Sequence, residues 1–156
     1  MRKPEREIKD KSLVEALLLR AGYVSLALWD GSAPYSLPIS FGYQDGSLYF
    51  HSSYQGKKAL CLKACDKVSF SVVLDHKVVS RKGPVACGYT ANYQSVVGVG
   101  RVEIIEDPAK KIEALNIIMR HYEGPEGPYD PAVLEKTMVV RVVIEEMRGK
   151  SVPPLE

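Results

Sequence analysis

Asp45 and Gly46 stand between two runs rich in strand-forming residues, 34–43 and 47–52. A two-residue Asp-Gly loop closes a hairpin, and its strands must be antiparallel, because parallel strands need a crossover of about a dozen residues or more. The chain is committed to an antiparallel sheet before its first third is complete. Pro38 adds a second constraint. It donates no ladder hydrogen bond, so the strand over 34–43 is expected at an edge, bulged or locally open. An opening there exposes the backbone of Ile39 and Ser40, which a flat heteroaromatic ring could use. A bare edge strand is the other reading.

The remaining strands follow from period-two alternation. They are expected over 23–29, with Asp30-Gly31 starting a turn, over 68–74, from Val85 onwards and over 137–144, where Met138, Val140, Val142 and Ile144 share the core face. The longest signal runs over 93–105, and Gly98 and Gly100 within it predict a bulge or a close backbone approach. Between these, residues 75–83 read as polar and less regular, with Arg81-Lys82-Gly83-Pro84 as a solvated loop. Ser12 and Glu15 have the spacing of a capping box, starting a short helix with Leu13, Val14, Leu17, Leu18 and Ala21 on its apolar stripe and Gly22 at its stop. Asp107-Pro108 opens a helix to about His121 with Ile112, Leu115, Ile118 and Met119 as its buried stripe. Residues 124–128 form a loop, and 131–136 one or two helical turns. About six or seven antiparallel strands with helices outside suit a mainly β fold, a small closed or split β-barrel in one domain over 1–156.

With 156 residues the chain buries a core without disulfides. Lys and Arg total 21 against 19 Asp and Glu, a balance that supports neither a nucleic-acid nor a membrane-surface role and points to small partners. Three cysteines and no secretory or transmembrane run are expected of a cytoplasmic chain with reduced thiols. Cys61, Cys65 and Cys87 read as small buried hydrophobes, and His51, His76 and His121 are scattered, so no metal site is expected. Gly-x-Gly-x-x-Gly and Gly-Lys-Ser/Thr signatures are absent.

The stretch 51–65 carries the chemistry. It joins a strand to a helix through a glycine turn holding Ser52, Ser53, Lys57 and Lys58, with the helix expected to begin near Gly56. A helix start is positively polarised, which favours a bound anion over the two lysines standing there. The segment therefore reads either as a cradle for a phosphate monoester or as a solvated basic helix start. Alternation puts Leu48 and Phe50 on one face and Tyr49 and His51 on the other. His51 is either a half-exposed structural residue or a catalytic one.

Residues 35–41 and 43–51, then Gly56-Lys57-Lys58, Cys87-Gly88-Tyr89-Thr90 and Tyr93-Gln94-Ser95-Val96 together resemble the FMN-binding split-barrel family related to pyridoxamine 5′-phosphate oxidase. Within it the chain is most similar to the nitroimidazole-resistance (Nim-type) group, and the similarity extends from Leu13 to Arg148-Gly149-Lys150. The resemblance implies a homodimer with FMN at the subunit interface and the flavin phosphate at Lys57 and Lys58. It implies further contacts from Tyr93 and Ser95 of the long strand. Pro38, Ile39, Ser40 and Phe41 match the strand bordering the isoalloxazine ring, and Phe50, His51 and Ser52 the segment under it. The tryptophan and arginines of the oxidase proper have no match over 141–156, so vitamin B6 oxidation is not implied, and Gln94 stands where the Nim-type pattern has a basic residue. The expected function is an FMN-dependent oxidoreductase, a flavin reductase acting on a small substrate with His51 catalytic. A non-catalytic flavin-binding or sensing protein is the alternative.

Overall fold

A computed structural model of the chain describes residues 3–83 and 85–154. Among them the elements run β1 (Glu7–Ile8), α1 (Lys11–Arg20), β2 (Val24–Trp29), β3 (Pro34–Ile39), β4 (Gly42–Gln44), β5 (Ser47–Ser53), α2 (Lys57–Ala64), β6 (Lys67–Ser80), β7 (Tyr89–Ile105), α3 (Pro108–His121), α4 (Pro131–Lys136) and β8 (Thr137–Val152). All eight strands join one sheet in the order β3-β2-β6-β7-β8-β5-β4, with β1 on β8, and every pairing is antiparallel. The two ends of that path, β3 and β4, are joined by Ser40 and Phe41 alone. Three Cα steps span at most about 11 Å, so the sheet must curl until its ends meet there. The result is an antiparallel barrel with a split at Ser40-Phe41.

Inward-facing residues fill the barrel: Leu26, Leu48, Phe50, Phe70, Val96, Met138, Val140 and Val142 are all at most 2% exposed. α1 and α2 add Leu17, Leu18, Cys61 and Leu62 to the same core. The hairpin forms as its sequence predicts. Tyr43 pairs with Leu48 and Gln44 with Ser47, and Asp45 and Gly46 both take the left-handed conformation, with φ of 48° and 71°. In β7 a Cβ on Gly98 would collide with the Phe70 ring, and the ladder to β8 slips between Val99 and Gly100. The expected bulge and close approach are both present.

Several boundaries differ. The expected strand 34–43 is broken at Ser40-Phe41, beyond the edge position of Pro38. β6 does not stop at Leu74. It passes a bulge between Leu74 and Lys77 and continues to Ser80, because ladder hydrogen bonds to Tyr89–Asn92 persist where neither face is buried and alternation gives no signal. β7 and β8 are extended for the same reason, and Ile144 is only partly buried. Asp10, and not Ser12, caps α1: its carboxylate accepts from the Ser12 amide at 2.8 Å and the Ser12 hydroxyl at 2.7 Å, a stronger acceptor than a hydroxyl. Leu13 is left 46% exposed. α3 buries Lys111, Ala114, Ile117 and Ile118, so its stripe is rotated from the expected one and Ile112 faces solvent. Of the cysteines only Cys61 is buried, Cys65 is intermediate and Cys87 exposed. Arg81, Lys82 and Gly83 are solvated as expected, while Pro84 lies outside the described residues. No helix among the described residues is long and apolar enough to cross a membrane.

Candidate functional site

Three of the four α-helices among the described residues are capped by aspartates, Asp10, Asp107 and Asp130, each accepting a backbone N–H of the first turn. α2 is the exception. Its N-cap is Gly56, and among the described residues no side chain bonds its first-turn N–H groups. An uncapped helix start keeps free donors and a positive end, the requirements for an anion. Two lysines begin this helix, and the structure separates their roles. Lys57 Nζ lies 2.7 Å from Asp30 and 4.8 Å from the Tyr35 ring centroid. Asp30 also accepts from the amides of Ser32 and Ala33. The Lys57 hydrogen bond and these amides hold the Asp30 carboxyl well below its usual range, and the same hydrogen bond raises Lys57. Lys57 is already neutralised. Lys58 is half-buried and forms no ion pair among the described residues, and burial lowers its pKa.

Further cations that the sequence did not reveal gather on the Tyr54 ring, just before Gly56. Lys111 in the first turn of α3 is 5% exposed. Its ammonium donates to the Tyr54 hydroxyl at 3.0 Å and the Thr137 carbonyl at 3.1 Å, over the Tyr54 ring. Lys63 covers the same ring. A lysine inside an apolar-looking helix face gives no sequence signal. Its stem buries like a hydrophobe while its head finds partners.

The β4–β5 ladder ends at Gly42 and Tyr49, and the next rungs would set Ser40 across from His51. The split thus faces the His51 end of β5, and the Lys58 charge reaches His51 from the start of α2, so the three lie along one strip. Ile39, Phe41 and Phe50 turn their side chains into the core, 5% exposed or less, and the Phe41 N–H donates to the Tyr122 hydroxyl at 3.0 Å. Pro38 and Ser40 are exposed, and Ser52 is buried. His51 is open to solvent on its outer side. Withdrawal of water by the surrounding walls, with the Lys58 charge second, lowers its pKa below 6.5, so at neutral pH the ring is neutral.

Tyr93 and Ser95 are not in that strip. His51 pairs with Val139 and Ser95 with Lys150, so eleven residues of β8 separate the two levels, about 35 Å of strand at ~3.3 Å per residue. At the second level Lys150 donates to the Tyr93 hydroxyl at 2.7 Å, and Arg20 of α1 reaches Gln94 at 3.4 Å while pairing with Asp75. Cations do stand beside Gln94, supplied by other elements. Ser95 is 9% exposed.

Fold and strip together define an antiparallel split barrel with an uncapped, lysine-bearing helix start near its seam. The family model of pyridoxamine 5′-phosphate oxidase matches residues 10–151, and the chain belongs to that family. Among solved structures it is similar to one from Bacteroides thetaiotaomicron, described provisionally as a 5-nitroimidazole antibiotic resistance protein, with 34% identity, 92% of this chain and 85% of that chain covered, and a TM-score of 0.82. A flavocytochrome of Azotobacter vinelandii is 26% identical over 96% of this chain and 72% of that one, with a TM-score of 0.78. An FAD- and heme-binding protein of Mycobacterium smegmatis shares the fold at 22% identity, with 94% and 73% covered and a TM-score of 0.76. No curated protein matches the chain.

Proposed function

We propose that this chain is an FMN-dependent oxidoreductase, a flavin reductase acting on a small substrate, for which a nitroaromatic is the nearest analogy in its relatives. The observation that carries the reading is the uncapped start of α2 with Lys58 half-buried beside it and free of any carboxylate among the described residues. A terminal phosphate dianion answers both deficiencies. Lys58 and the first-turn N–H groups would hold it, and the exposed main chain at Ser40 would border the ring. The bound flavin supplies hydride or electron transfer, and the protein supplies binding, orientation and exclusion of water. A neutral His51 donates one hydrogen bond at the site edge.

Valines on the outer face support a homodimer. Val73, Val97 and Val99 are 42–60% exposed on the adjacent strands β6 and β7, an apolar surface of the kind that marks an interface. The cytoplasm suits the free thiols. The visible spectrum of the purified protein, followed by release of the chromophore and titration with FMN and FAD, tests the reading. A yellow protein that prefers FMN is expected. A colourless protein that takes up no flavin, or one that binds FAD more tightly, overturns it. Rapid reoxidation of the reduced flavin by a nitroaromatic separates a reductase from a protein that only carries flavin.

A further inference from the structure

Lys150 of β8 repeats the condition of Lys58: it is half-buried and has no carboxylate partner among the described residues. Its ammonium donates to the Tyr93 hydroxyl at 2.7 Å and lies 5.2 Å from the centroid of that ring. Tyr93 accepts from Lys150 and so keeps its own proton to give. Ser95, across the ladder from Lys150, is 9% exposed, and its hydroxyl bonds no group among the described residues. Residues two apart on a strand, and residues directly opposite across a ladder, share a face. Two hydroxyls and an ammonium therefore stand together on the outer side of the sheet. The neighbouring charges are spent, Arg20 on Asp75 at 2.8 Å and Arg148 on Glu146 at 2.7 Å. A group of this composition lacks only an anion.

The same face carries Val73, on the rung of Ser95, and Val97 two residues further along β7. Where these valines meet a second copy, Tyr93, Ser95 and Lys150 are turned towards that copy, eleven residues of β8 away from the level of their own His51. The start of α2 is short of positive charge for a phosphate. A phosphate monoester carries about −1.5 to −2 charges at neutral pH. Lys57 is held by Asp30, Lys111 is 5% exposed and bound to Tyr54 and Thr137, and Lys63 stands in the last turn of α2. Lys58 alone is left to meet the anion from its own chain. We propose that Lys150 is the second cation of the phosphate site and acts in trans: Lys58 of one copy and Lys150 of the other close on the same phosphate monoester, with Tyr93 and Ser95 donating beside Lys150. The inference rests on the flavin reading for the identity of the phosphate-bearing ligand. Dimer and cofactor are then coupled, since each phosphate site is complete only between two copies.

The test titrates FMN and riboflavin into flavin-free wild type, Lys150→Met and Lys150→Arg, with light scattering on each. Met keeps the methylene stem on the Tyr93 ring and removes the charge, whereas Arg keeps the charge. Lys150→Met should weaken FMN at least tenfold while leaving riboflavin binding and the dimer unchanged, and Lys150→Arg should retain most of the FMN affinity. Equal losses for the two flavins, dissociation of the Lys150→Met dimer, or unchanged FMN affinity overturns the proposal. Action in trans is read from mixed dimers of Lys58→Ala and Lys150→Met subunits. One site per dimer at wild-type affinity is expected, and two singly impaired sites would place Lys150 beside its own Lys58 and refute it. A wild type that takes up no flavin refutes the proposed function, and inorganic phosphate then decides the bridge. Phosphate should raise the Tm of wild type, as any ligand of the folded state does, and that of neither Lys58→Ala nor Lys150→Met. No rise, or a rise indifferent to Lys150, overturns the bridge as well.

Discussion

At the scale of single residues, the contrast between Lys57 and Lys58 decides which one an anion meets. Lys57 is neutralised by Asp30 at 2.7 Å, whereas Lys58 carries a partly desolvated charge without a carboxylate among the described residues. Hydrogen bonds to charged groups contribute about 1.5–3 kcal/mol, so Lys58→Ala should weaken FMN about ten- to more than a hundredfold. Riboflavin, lacking the phosphate, should bind both proteins alike, and Lys57→Ala should cost FMN less. Equal losses for FMN and riboflavin would mean that Lys58 supports the fold. The same residue sets a pH dependence. Burial lowers its pKa from 10.5 in the free protein, and a bound dianion restores the charged form, so binding takes up a proton between the two values. FMN affinity should therefore fall as pH rises through that window, riboflavin affinity should not, and Lys58→Ala should flatten the FMN curve. For His51 the expected outcome is different: His51→Ala should retain flavin and lose turnover. Unchanged turnover with flavin intact would leave the ring a structural role only.

At the scale of elements, the long strand β7 explains both what the sequence discloses and what it hides. Gly98 was legible because glycine inside a strand has few causes, and here its neighbours are the Phe70 ring and the Glu146 carbonyl. Gly98→Ala should destabilise by about 1–3 kcal/mol through overpacking, lowering Tm by roughly 2–4 °C per kcal/mol in a chain of this size. A melt indistinguishable from wild type would show that the ring moves aside freely. The Asp45-Gly46 hairpin, the edge position of Pro38 and the strand-to-helix turn at Gly56 were legible for the same reason, each being a backbone demand that few residues meet. The far halves of β6 and β8 were not, since their pairing is held by main-chain bonds between residues without apolar alternation. The buried face of α3 was misread at Lys111, because a residue ranked polar contributes four methylenes to the packing and hides its charge on Tyr54 and Thr137. Asp10 has no distinct signal in the sequence because Ser12 and Glu15 carry the spacing of a second, weaker cap just after it.

At the scale of the whole molecule, the strip at His51 and Lys58 and the pair Tyr93 and Ser95 are too far apart along β8 to hold one flavin within a single chain. The motifs were legible in the sequence, but their separation was not, since register alone measures it. If both groups serve the same cofactor, as the family resemblance implies, they must come from two copies, and light scattering should report a dimer. The arrangement also makes a sharper prediction. A dimer of Lys58→Ala subunits has a damaged site twice over, and so has a dimer of Ser95→Ala subunits. In a mixed dimer, one site receives the intact Lys58 of one subunit and the intact Ser95 of the other, while the second site receives both lesions. Mixed dimers, isolated with two different affinity tags, should therefore regain one FMN per dimer at wild-type affinity and lose the other almost wholly. A site built within one chain gives the opposite result, two sites each carrying one of the lesions and no recovery. A monomer with its flavin fully bound would likewise refute the shared site.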